Sequence, residues 1–343
     1  MPTIKDVARA CGVSVTTVSG VLNNTSNAAS PETRQRVLDT IQKMNYSPSA
    51  VARGLSYRRM ETLGVVMDPH RWTSLMSDQH LGGITDGVIS QSSHLRQRTV
   101  LYTETWGNWQ TSLPTLTDGL CDGLILMVPI VPDAFFERLQ SCRIPFVIVG
   151  DHRPEPHLSV CDVDNVDAGR QITDYLLDLG HRRIAMLRGD REHQSSVLRA
   201  DGYREALEAR GVPYDPALDL LGYGYSEDSG YEQALALLKL PKESRPTALF
   251  GGDDRVAMGA LRALKEHAIS VPEQVSVVGI NDSLEGAAGP LPLTTLRQPS
   301  REIGINAVNL VRSFITKDKD AEPGRKVILP GTLIVKSTTA ALS

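Results

Sequence analysis

The side chains able to do chemistry are unevenly placed along the 343 residues. Lys5, Arg9, Arg34, Arg36, Lys43, Arg53, Arg58 and Arg59 fall within the first 60 positions, against only Asp6, Glu32 and Asp39, a net of +5. The chain carries 36 basic and 40 acidic residues, so the remainder stands at −9 (28 against 37). A basic module on an acidic body suits a polyanion, because the module is attracted while the body does not adhere to the same surface. A chance excess on a solvated helix face is the other reading of these charges. Signatures of catalysis are missing. There is no Gly-x-Ser-x-Gly elbow, no HExxH, no phosphate-binding Gly-x-x-x-x-Gly-Lys-Ser/Thr loop and no dinucleotide fingerprint after the first strand. Nothing pairs two carboxylates for acid and base work. The eight histidines are scattered and read as surface or capping residues. Cys11, Cys121, Cys142 and Cys161 form no CxxC pair and share no zinc-ligand spacing with histidine, so they read as reduced and structural, and neither metal nor cofactor is expected. Trp72, Trp106 and Trp109 are the remaining candidates. Indole faces stack on sugar rings, cations and nucleobases, although simple packing is the alternative.

These groups need elements to position them. Hydrophobic residues make up 41% and charged residues 22% with both signs mixed, the composition of a folded globular chain. No apolar run approaches the roughly 18 residues that span a bilayer, and the start, MPTIKDVARA, lacks an apolar signal core, so a cytoplasmic location is expected. Residues 3–22 read as two short helices. Ile4, Val7, Ala8 and Cys11 share one helical face, Gly12 supplies a positive-φ turn, Ser14 stands at an N-cap, and Val18 and Val21 continue the stripe. This is the pattern of a helix-turn-helix, and also of any helical hairpin. Ser30-Pro31 opens a third helix whose Val37, Leu38, Ile41 and Met44 are expected to close a three-helix core. A further cap at Ser47-Pro48-Ser49 precedes AVARGL, too short to be a stable helix unless something docks on it.

From residue 61 onward, apolar runs alternate with amphipathic stretches. TLGVVM, TVLYT, GLILMV and FVIVG, then RIAML, TALF and VSVVGI, read as buried parallel strands with helices between. The fold class expected is α/β, two doubly wound lobes behind the helical headpiece. The boundaries expected are 1–47 for the headpiece, 48–60 for a hinge helix and linker, and 61–343 for the core. Within the core, lobe one takes about 61–160 and about 298–335, and lobe two about 161–292. Such sheets bind ligands beyond the carboxyl ends of their strands, and Trp72, Trp106 and Trp109 fall just after the first two strands, at that end.

With these motifs in view, the run from Thr3 through Leu55 resembles the headpiece and hinge of the lactose-repressor (LacI/GalR) family of bacterial regulators. DNVDAGRQITDYLLDLGHRRIA, RPTALFGGDD, VPEQVSVVGIND and PLTTLRQP resemble that family's periplasmic-binding-protein-like core. The resemblance implies a sequence-specific DNA-binding regulator, with repression the expected action, working as a homodimer or dimer of dimers. It further implies an effector, a sugar or sugar derivative, held between two core lobes that the chain crosses three times. It places Val15, Thr16 and Gly20 on the major-groove face, and Thr3, Ser14, Thr17, Ser19, Asn23, Ser30, Thr33 and Tyr46 at backbone-contacting positions, where short hydroxyl and amide groups suit phosphate oxygens. Ser49, Ala52, Arg53 and Leu55 fall on the hinge, Leu55 matching a leucine that enters the minor groove. Around the effector it places Asp151, Ser195, Arg199, Tyr225, Asp253 and Asn281, to which the strand-end argument adds Trp72 and Trp106. Two positions depart from the family: Gly20 where arginine is common, which removes a guanine contact, and Asn281 where aspartate is frequent. A nucleobase effector, a solute-binding protein without DNA function and a sugar-processing enzyme are the alternatives.

Overall fold

A computed structural model describes residues 2–342 apart from Asn24, Ser26, 48–58, 69–77, 104–105, Gly289 and Asp320, and describes Trp106 by its backbone alone. The chain divides into two units, Met1–Glu61 and Thr62–Ser343. In the first, α1 (Ile4–Cys11) and α2 (Val15–Leu22) are joined at Gly12, whose φ of 65° is the left-handed turn expected there. α3 (Pro31–Lys43) begins under the Ser30 cap. Val7, Ala8, Cys11, Val18, Val21 and Val37 are buried together, with Ile41, Met44 and Tyr46 packed against them. Leu38 is not among them. It is 43% exposed, because the stripe runs 37, 41, 44 and the next residue on a helix lies about 100° off that line.

The second unit is built on two six-stranded sheets. The first, in the order β11-β5-β4-β3-β1-β2, is parallel throughout: β1 (Thr62–Val66), β2 (Arg98–Tyr102), β3 (Gly123–Met127), β4 (Phe146–Val149), β5 (Val160–Val163) and β11 (Lys326–Leu329). The second, β12-β10-β9-β8-β6-β7, comprises β6 (Ile184–Leu187), β7 (Asp219–Leu220), β8 (Ala248–Gly251), β9 (Ser276–Ile280), β10 (Thr294–Arg297) and β12 (Thr332–Ile334), with β12 antiparallel. β1, β3, β8 and β9 are wholly buried, which is why they read as continuous apolar runs. The TVLYT run differs from expectation: β2 is an edge strand, and Arg98, Thr99 and Leu101 are exposed.

Helices cover both faces: α4 (Gln79–His94), α5 (Trp109–Leu116), α6 (Asp133–Ser141) and α12 (Ser300–Thr316) on the first sheet, α7 (Asn165–Asp178), α8 (Gln194–Ala209), α9 (Glu227–Leu238), α10 (Asp254–Glu266) and the short α11 (Leu284–Ala288) on the second. The chain passes between lobes three times, after β5, β10 and β11. β5 therefore extends the first sheet past residue 160, and β12 returns to the second. There the tail is fixed by hydrogen bonds between Val277 and Thr338 and from Leu342 N to Leu179 O at 2.8 Å. Cys11, Cys121 and Cys161 are free and buried, and Cys142 is free and exposed. Among the described residues no helix is long and apolar enough to cross a membrane.

Candidate functional site

The carboxyl ends of both sheets converge on one interlobe cavity. Lobe one contributes Asp78, His80 and Leu81 from the start of α4, Val128 after β3, Gly150 after β4, and Asp162 at the end of β5. From lobe two come Ser195 and Arg199 on α8, Tyr225 before α9, Asp253 before α10, and Asn281 after β9, while Gln298 arrives on the β10–α12 crossover. The backbone is bent hard here: Val128, Gly150 and Asn281 have φ of 44°, 73° and 124°. For a β-branched valine and an asparagine this conformation is strained by about 1–3 kcal/mol, and such residues gather at ligand sites. The walls enclose about 40 Å³. That is room for roughly three waters at 10–15 Å³ each.

Arg199 stands at the centre, 4% exposed. Its Nε donates to Asn165 Oδ1 at 2.9 Å and one Nη to Gly252 O at 2.6 Å, and its guanidinium lies 5.8 Å from the Tyr225 ring centroid. The other Nη remains for the cavity. Ser195 and Tyr225 share a hydroxyl hydrogen bond of 2.9 Å. Gln298 donates to Asn281 Oδ1, and Asn281 donates to Asp253 Oδ2 at 2.6 Å, while Asp253 Oδ1 caps α10 through Arg255 N at 2.8 Å. Burial pushes the Asp162 and Asp253 carboxyls up to about 7, although the Arg199 charge works against the rise at both. His80 is held neutral, its pKa lowered to about 3 by burial and then by Arg199.

The structure thus brings Ser195, Arg199, Tyr225, Asp253 and Asn281 to one cavity. Asp151 is not brought there. Its neighbour Gly150 forms the wall, and the Asp151 carboxylate turns to Arg153, which donates from Nε at 2.7 Å. Trp72 lies outside the described residues, as does the Trp106 side chain. Trp109 packs edge-on against Phe135 with centroids 5.9 Å apart, in lobe one's core. Asp78, His80, Asp162, Asn165, His193 and Gln298 line the cavity without having been anticipated. Asn165 and Gln298 sit inside motifs quoted for the family resemblance. Asp78 follows the pattern of an N-cap, accepting from Leu81 N at 2.9 Å, but nothing in sequence sets His80 apart.

In the helical unit, Val15 and Thr16 are exposed at the start of α2, where Ser14 Oγ accepts from Thr17 N at 3.0 Å. Asn23 donates to Ser19 Oγ at 3.3 Å, Ser30 Oγ accepts from Thr33 N at 3.3 Å, and Thr3 Oγ1 donates to Asp6 at 2.7 Å. Tyr46 packs against the core. Gly20 is half-buried, and a Cβ built there meets Ala28 Cβ at 2.4 Å, so Ala28 of the loop after α2 lies against it. Ser49, Ala52, Arg53 and Leu55 lie outside the described residues.

Residues 3–49 match the description "Bacterial regulatory proteins, lacI family", and residues 173–339 match "Periplasmic binding protein-like domain". The chain is 34% identical over 332 residues to the HTH-type transcriptional regulator CelR of Thermobifida fusca, covering 95% of each chain. It is similar to the solved transcriptional regulator CelR–cellobiose complex, at 31% identity over 98% of this chain and 100% of that one, with a TM-score of 0.75. It is also similar to the lac repressor dimer bound to operator and the anti-inducer ONPF, at 26% identity over 99% of each chain, with a TM-score of 0.84.

Proposed function

The chain belongs to the lacI family of bacterial regulatory proteins, DNA-binding regulators with an effector-binding core and not enzymes, and from that premise we propose that it represses transcription under control of a sugar. The observation that carries the effector reading is the convergence of Ser195, Arg199, Tyr225, Asp253 and Asn281 on one interlobe cavity. A guanidinium with one Nη free for a ligand, beside an aromatic ring and paired hydroxyls, suits vicinal sugar hydroxyls. Cellobiose, found in the CelR complex, is the first sugar to try.

In this reading a homodimer, or a dimer of dimers, sets two headpieces on the half-sites of a pseudo-palindromic operator. Val15 and Thr16 meet base edges, and Thr3, Ser14, Thr17, Ser19, Asn23, Ser30, Thr33 and Tyr46 hold the backbone. The segment 48–60, with Ser49, Ala52, Arg53 and Leu55, couples headpiece to core and enters the minor groove. The protein works on the nucleoid in the cytoplasm. A sugar does not fit in about 40 Å³, so its entry must part the lobes, and it shifts the DNA-competent population only by its preference for one lobe arrangement.

Anisotropy of a labelled palindromic duplex tests this. The full chain is expected to bind with an affinity that falls steeply with salt, and removal of residues 1–60 to abolish binding while leaving sugar-dependent melting of the core. A full chain indifferent to DNA at low salt sinks the proposal.

A further inference from the structure

The polar groups of the cleft are unbalanced in a way that speaks to the charge of what enters. Asp78, Asp162 and Asp253 face the cavity from three different elements, and Arg199 is the one strongly basic side chain among the described lining residues. Gln298 adds a further acceptor: it is 7% exposed, it lines the cavity, and its Oε1 is buried without a hydrogen-bond partner. A buried acceptor in that state waits for a donor.

The positive ends of helices usually attract anions at such sites, but here the protein supplies its own. Asp78 caps α4 through Leu81 N at 2.9 Å, and Asp253 caps α10 through Arg255 N at 2.8 Å. α8, whose N-cap His193 makes no side-chain cap, opens toward the cavity beside Arg199, and α12, whose N-cap Pro299 makes none either, starts two residues after Gln298.

We propose that this cleft selects an uncharged, hydroxyl-rich effector and turns away its phosphorylated or carboxylated counterparts. The inference rests on reading the cleft as the effector site. Hydroxyl protons are donated to Asp162, Asp253 and Gln298 Oε1, and a hydroxyl oxygen accepts from the free Nη of Arg199. Above their pKa values of about 7 the Asp162 and Asp253 carboxyls are ionised, and an added anion would then meet both of them and Asp78 with one guanidinium to offset them.

Proton exchange accompanies binding. Asp162 and Asp253 titrate near 7 in the unliganded cleft, and donation from the effector favours their ionised forms, so binding releases protons just below neutrality. Around them, His80 stays neutral throughout and Tyr225 is pushed above its ordinary range. His193 faces Asp190, 3.8 Å away. Behind the wall, Asp151 raises Asp162, and Asp254 raises Asp253, each carboxylate repelling its neighbour's charge.

The test is thermal melting and calorimetry of the full chain against matched pairs: ribose and ribose 5-phosphate, glucose with glucose 6-phosphate and gluconate, and cellobiose with its 6-phosphate. Uncharged members are expected to raise Tm and charged ones to do nothing. Titration of the responding sugar in two buffers of different ionisation heat should show proton release at pH 6 that vanishes at pH 8.5. Asp162→Asn and Asp253→Asn, each checked for operator binding and a cooperative melt, should each reduce that release and narrow the gap between neutral and charged sugars. A charged member acting more strongly than its parent overturns the proposal, as does a panel with no uncharged responder while operator binding persists. Loss of operator binding by the wild-type chain would instead refute the proposed role at an operator, and a responding sugar whose melt is unchanged by both Asp162→Asn and Asp253→Asn would refute the reading of the cleft as the effector site.

Discussion

Arg199 holds together groups that would otherwise repel or go unpaired. Asn165 Oδ1 and Gly252 O accept from it, and it opposes the upward shift of both Asp162 and Asp253. Arg199→Ala should therefore do more than remove a ligand contact. Each buried acceptor left unpaired costs about 1–3 kcal/mol. The deficit in denaturant melts should be larger at pH 8, where the two carboxyls are ionised, than at pH 5.5; equal deficits would show that the guanidinium matters only through packing. The carboxyls themselves carry a signed prediction. Their pKa near 7 exceeds the ordinary value of about 3.9, so the folded chain holds protons that the unfolded chain releases. Their contribution to stability is present below about pH 4 and lost as the pH rises through 7. Asp253→Asn, which keeps an N-cap side chain, should flatten that slope and stabilise the protein at pH 8 relative to wild type, as read by guanidinium melts. At this scale the sequence was partly legible. Arg199, Tyr225 and Asn281, singled out through motifs, line the cavity, whereas the Asp151 carboxylate is paired with Arg153, two residues on. No local pattern encodes such a pairing.

Three helix pairs in the core close on glycine. A Cβ at Gly169 or Gly202 would stand 2.2 Å from Arg199 O or 1.9 Å from Val166 O, where α7 meets α8. Gly87 and Gly304 do the same for α4 and α12, and Gly230 and Gly259 for α9 and α10. Backbones in contact leave little slack, and the α7–α8 seam lies directly behind the residues that bear Ser195 and Arg199. Gly202→Ala should destabilise by about 1–3 kcal/mol through overpacking and should also weaken sugar binding. A variant that loses stability in a urea melt yet keeps unchanged affinity would separate seam from site. Helix and strand existence was legible because burial imposes a pattern: β1, β3 and β9 are buried along their whole length and mostly apolar, and α1 to α3 carry stripes and caps. The edge position of β2 and the packing of Trp109 on Phe135 were not, since each depends on which neighbour arrives from elsewhere in the chain.

If the proposed function holds, a change in the cleft has to reach a separate helical unit. If sugar entry parts the lobes, the observed association rate should saturate at high sugar concentration; stopped-flow fluorescence showing a linear, diffusion-like dependence would argue for an open resting state. On the proposed function, sugar and operator should shift each other's affinity by the same factor, which parallel anisotropy and calorimetry can check. The division of labour between sequence and structure follows from the range of the forces involved. A basic helical headpiece, an acidic α/β body and membership of a regulator family were determined by the sequence itself, through charge, periodicity, caps and long ordered motifs. Those are local properties, readable along one dimension. Only the tertiary structure decided that Gly20 lies under Ala28, that β12 returns to the second lobe, and that Asp78, Asp162, Asp253 and Gln298 surround one guanidinium. Those residues are separated by scores of positions in the chain, and desolvation and Coulomb forces act through space, so their balance exists only once the two sheets face each other.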